Sequence, residues 1–140
     1  MFATIAPFAT LVILLVWMGF FMLGSLPLMI LKHDTPLDAR FVRGLFDVYY
    51  KAVIVTASAG VAAQAWTGKA ILAVGMAAVV VVAYLSRRNI LTRMDRLRAV
   101  MTPEDGQRIR QFRVLHVWGM VLNVAQLLAI CLSLVTVLRD

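Results

Sequence analysis

The segment Phe112 to Leu138, FRVLHVWGMVLNVAQLLAICLSLVTVL, decides how the chain is read. It is long and apolar enough to cross a bilayer, which takes about 20 residues of helix. Yet His116, Asn123 and Gln126 interrupt its aliphatic side chains. At about 100° per residue, His116 and Asn123 fall within roughly 20° of each other and Gln126 about 60° further round, with Gly119 on the same side. An unpaired amide or imidazole in hydrocarbon is costly, so this stripe should face other helices, a cavity or a ligand.

The rest of the chain has the same character. Its 140 residues are 62% hydrophobic and 15% charged, with a mean hydropathy of +0.88, which excludes an ordinary soluble domain. There is room for four membrane-length helices and little else. The expectation is an all-α integral membrane four-helix bundle in a single domain, with spans at about 3–31, 45–65, 70–86 and 112–138 and a basic cytoplasmic loop at 87–111. The first apolar run has no basic leader and exceeds a signal-peptide core, so it reads as a retained span. Cys131, the single cysteine, lies deep in the last apolar run; it can form no internal disulfide and reads as packing.

Along the chain, Pro27 should kink the last turns of the first helix. Met18, Met22, Ser25 and Met29 share one of its faces, a pattern that suits adaptable packing better than soft-metal ligation, and Trp17 reads as interior. Thr35-Pro36-x-Asp38 is a helix start: a capping side chain, proline in the first turn and an acid near the positive end of the dipole. Thr102-Pro103-Glu104-Asp105 repeats that signal before the last span. With Arg43 and Arg110 the two motifs share an offset of 67 residues, a faint sign of two similar hairpins. Asp47 and Lys51 are spaced to pair at the membrane edge, with Ser58 on the same face. Trp66-Thr67-Gly68-Lys69 is short enough to force an antiparallel hairpin. Ile90, Met94, Leu97 and Met101 recur at helical spacing, giving a basic amphipathic helix that prolongs the third span.

The net charge of +7 is explained by topology rather than by nucleic-acid binding. Lys32, Arg40, Arg43 and the arginines from Arg87 to Arg113 lie in the two long connections; only Lys69 and Arg139 lie opposite. The excess of basic residues puts those connections in the cytoplasm and both termini outside, in an inner (plasma) membrane. Arg87, Arg88, Arg93, Arg96 and Arg98 then meet anionic lipid headgroups.

Trp17-Met18-Gly19, Arg43-Gly44-Leu45-Phe46 with Tyr49 and Tyr50, and Phe112-x-x-Leu115-His116 followed by Asn123 resemble the bacterial relatives of transmembrane protein 205. Those are small four-helix membrane proteins. A more distant likeness is to the anthrone-oxygenase-like membrane proteins. The haem b protoporphyrinogen oxidases share the length and a tryptophan in the first helix. Here, however, no histidine lies inside that helix, and Lys69 sits before the third span rather than within it.

Two functional classes follow. In the first, the polar stripe is a ligand-binding or catalytic site near the cytoplasmic side. His116 is the ligand or acid/base group, Asn123 and Gln126 orient a polar part of the substrate, Tyr50 joins them, and apolar walls hold a small hydrophobic or planar body. A minority form of this reading holds haem b between His33 and His116; a protein zinc site would need more ligands than two histidines supply. In the second class the chain is a non-catalytic accessory subunit of a larger membrane complex, or pairs with itself, and the stripe is helix-to-helix glue. Transport has the least support, because no acidic residue lies in mid-membrane.

Overall fold

The computed structural model describes residues 2–30 and 35–139. Helix α1 spans Phe2–Ile30 and runs through both Pro7 and Pro27. Helix α2 spans Pro36–Trp66 and starts as its sequence dictates. The Thr35 hydroxyl accepts from the Asp38 backbone N–H at 3.2 Å, while the Thr35 N–H donates to the Asp38 carboxylate at 3.1 Å, closing a capping box. At the other end Gly68 turns the chain with φ +74°, a region open to glycine at no steric cost. Helix α3, Ala70–Ser86, returns antiparallel to α2.

The third span does not stop at Ser86. A π-helical turn, Arg87–Leu91, carries it into helix α4, Thr92–Val100, so that Ala70–Val100 is one continuous rod. The segment 87–111 is therefore helical except at 101–105. Helix α5 spans Gly106–Arg139. Its start departs from the sequence expectation: Thr102 and Pro103 lie in the preceding turn, and Asp105 accepts from the Arg108 N–H at 3.1 Å. The charged carboxylate takes the cap three residues beyond the threonine, so the two Thr-Pro motifs do not begin equivalent helices. Arg108 also donates to the Val100 carbonyl at 2.6 Å, tying the start of α5 to the end of α4.

Four helices, Ile5–Ile30, Pro36–Trp66, Ala70–Val100 and Gly106–Arg139, are long and apolar enough to cross a membrane. The chain is an all-α, multi-pass membrane bundle. α1 packs against α2 and α5, α2 also packs against α3, and α4 lies across the start of α5. The core is built from Leu14, Met18 and Phe21 of α1, Phe46, Tyr49 and Val53 of α2, Met76 and Val79 of α3, and Met120 of α5. Exposed Val16, Leu23, Val55, Ile71 and Leu132 form the belt that meets acyl chains. Cys131 joins them on that outer surface and is not part of the packing. Ser58 also faces outward, whereas Trp17 is half-buried and lies edge-on to Phe20.

Candidate functional site

The polar stripe of α5 does face the other helices, and two of its three members are spent on holding them. The Tyr49 hydroxyl of α2 donates to Asn123 Oδ1 at 2.7 Å and lies 3.3 Å from Gln126 Oε1. Asn123 Nδ2 donates to the Met18 carbonyl of α1 at 3.3 Å, and Gln126 Nε2 to the Val79 carbonyl of α3 at 3.4 Å. One tyrosine and two amides thus connect all four spans. Phe21 stacks on Tyr49 at 4.2 Å and covers the cluster.

The expected tyrosine was Tyr50, and its neighbour takes that place. The Tyr50 ring packs against Phe46 and Tyr49, with Ser86 nearby, and its buried hydroxyl has no partner in hydrogen-bonding geometry. Adjacent residues on a helix point about 100° apart, so only the placement of α5 decides which hydroxyl meets the amides.

His116 stands apart from Asn123 and Gln126, toward the basic end of the bundle. It is 5% exposed, and its ring lies edge-on to Phe46, centroids 5.5 Å apart. Phe46 in turn fills the space beside Gly119, where a Cβ would overlap the ring. The His116 Nε2 is buried and has no partner. The His116 residue also lines a cavity of about 30 Å³ where the ends of α1, α2 and α5 meet, walled by Leu28, Val42 and Phe112 and bordered by Thr35, Asp38 and Arg113. That volume is about one water molecule.

Comparisons of the chain with protein-family models, with curated proteins and with solved structures return no match. The site is therefore read from its own chemistry. His33, the second residue of the haem reading, lies outside the described residues, as does Lys32. Among the described residues no three His, Cys, Asp or Glu side chains converge as a metal site would require. The methionine face does not converge either: Met18 is buried, Met22 half-buried and Met29 exposed.

The arginines separate into two groups. Asp47, paired with Lys51 at 2.7 Å, also accepts from Arg87 at 2.8 Å; Asp95 pairs with Arg43 at 2.9 Å and Arg98 at 3.3 Å. Arg87 and Arg98, expected on headgroups, each pair with a carboxylate of the chain. Arg88 borders a separate cleft with Tyr84 and Asp95, while Arg93 and Arg96 line an open groove with Arg110. Sequence reading passed over Gln64, and gave Ser25 only a place on the methionine face. Ser25 Oγ and both amide atoms of Gln64 are enclosed without partners.

Proposed function

We propose that this membrane protein binds a small, largely apolar molecule with one polar end at the mouth of the bundle beside His116. The observation that carries this reading is a cavity lined by His116, a ring whose Nε2 is buried without a partner. An enclosed imidazole nitrogen without a partner is costly, and a ligand hydroxyl, carbonyl or carboxylate would satisfy it. The enclosed space admits only a polar tip, so the apolar body would lie in the mouth against Leu28, Val42 and Phe112. Asn123 and Gln126 act here by holding α5 in register, not by touching the ligand. The bias of basic residues supports an inner (plasma) membrane with this mouth on the cytoplasmic side and both termini outside. Kinship with the transmembrane-protein-205-like family belongs to the same proposal. It rests on Trp17-Met18-Gly19, Arg43-Gly44-Leu45-Phe46 with Tyr49 and Tyr50, and Phe112-x-x-Leu115-His116 followed by Asn123.

The second reading is an accessory subunit of a larger membrane complex, and the satisfied Tyr49–Asn123–Gln126 cluster favours it, because that part of the stripe needs no ligand. One experiment separates the two. Protein extracted gently from its native membrane is analysed for bound small molecules and for accompanying polypeptides, as wild type, His116→Leu and Cys131→Ala. The first reading expects a stoichiometric small molecule lost only in His116→Leu. A preparation free of small molecules that arrives with stoichiometric larger subunits would replace it with the second.

A further inference from the structure

On α4 and at the head of α5, Arg98 and Arg108 are paired with nearby carboxylates. Arg93, Arg96 and Arg110 have no such pairing among the described residues. All three line one groove of about 600 Å³ between α4 and α5, floored by Leu97, Val114 and Leu115, and no acidic residue borders it. Three like charges around one space repel, and no described carboxylate offsets them there. Counter-charge must come from outside.

The shape of the groove selects its source. Guanidinium forks match phosphate oxygens two at a time, which favours a phosphate group over a diffuse counterion. Three such groups exceed the charge of one phosphodiester. The apolar floor continues into the outward face of α5 through Val117 and Val121, both exposed where acyl chains lie. A free anion would leave that floor wet, whereas an amphiphile covers it.

We propose that the α4–α5 groove binds one glycerophospholipid whose headgroup carries two or more negative charges. Its phosphates rest on Arg93, Arg96 and Arg110, and an acyl chain lies along Leu97, Val114 and Leu115. The groove shares no lining residue with the cavity at His116, so it stands independently of the function proposed above. Arg87 contributes only indirectly, by fixing the rod against Asp47 of α2, and Arg98 pairs with Asp95 on its own helix.

The test uses the whole protein in phosphatidylcholine nanodiscs containing either cardiolipin, with two phosphates, or phosphatidylglycerol, with one, at equal total charge. Native mass spectrometry counts the lipids retained on release. The expected result is one cardiolipin per chain, retained about tenfold over phosphatidylglycerol. Arg110→Gln should weaken retention about fivefold and the triple change at Arg93, Arg96 and Arg110 about a hundredfold, at the strength usual for basic residues at a membrane surface. Arg40→Gln, which removes the same charge from an exposed position outside the groove, should change nothing. Equal retention of the two lipids, equal loss in Arg40→Gln, or displacement by millimolar inorganic phosphate alone would overturn the site. The wild-type comparison and the Arg40→Gln arm decide even if the triple variant fails to fold.

Discussion

Gln64 and Gln126 are both buried, and differ in what surrounds them. Gln126 bonds to Tyr49 and to the Val79 carbonyl, whereas neither amide atom of Gln64 finds a partner. The same substitution should therefore have opposite signs. Gln64→Leu removes an unsatisfied group and is expected to stabilise the bundle by about 1–2 kcal/mol. Gln126→Leu removes interhelical bonds and should cost about 0.6–2 kcal/mol. Equilibrium unfolding in mixed detergent reads both; destabilisation by Gln64→Leu would show that the amide is bonded. A parallel contrast holds for the glycines. A Cβ at Gly119 meets the ring of Phe46, itself held among Phe21, Tyr50 and His116, while at Gly60 it meets the flexible tip of Met76. Gly119→Ala is expected to cost about 1–3 kcal/mol through overpacking. At Gly60 the methionine can swing away, so the gain in helix propensity should leave the change near neutral. The stripe of His116, Asn123 and Gln126 was legible in the sequence because its members share one helix and hence one phase. Tyr49 was not, because choosing it over Tyr50 requires the position of another helix.

Among the elements, the helix starts show where local sequence is sufficient and where it is not. Thr35 offers one capping side chain with proline and aspartate at the right offsets, and the structure has that box. At 102–105 threonine, glutamate and aspartate compete within four residues. The outcome depends on Arg108, which bonds to Asp105 and to the last carbonyl of α4. Asp105→Ala should therefore lower stability by about 1 kcal/mol while Thr102→Ala leaves it unchanged, as read by thermal unfolding in detergent. Thr35→Ala should cost as much as Asp105→Ala. A larger loss at Thr102 than at Asp105 would restore the equivalence of the two Thr-Pro motifs. The continuation of the third rod was legible from the spacing of Ile90, Met94 and Leu97, whereas Met101, on the same spacing, is extended and lies past the end of α4 at Val100. The π turn of the rod was not legible, since the Arg87–Asp47 pair that accompanies it spans two helices.

For the whole molecule, the decisive quantity is the side on which the basic end lies. The pairs Arg43–Asp95 and Arg87–Asp47 join α2 to the π turn and α4, so the arginines of both long connections form one charged end and cannot be divided between two sides of a membrane. Translocating that end would carry an excess of uncompensated guanidinium charge across the bilayer, which the positive-inside bias disfavours. The orientation is tested in a Cys131→Ala background, itself expected to be neutral within about 0.5 kcal/mol because Cys131 faces outward. Thr67→Cys in the hairpin and Glu104→Cys in the turn before α5 then place one thiol at each end. With a membrane-impermeant maleimide on spheroplasts, Thr67→Cys should label at once and Glu104→Cys only after permeabilisation. The reverse pattern would put His116 and the arginine groove on the outer side. The apolar molecule would then enter from outside and the phospholipid would belong to the outer leaflet, so this one labelling result fixes which membrane face supplies either ligand.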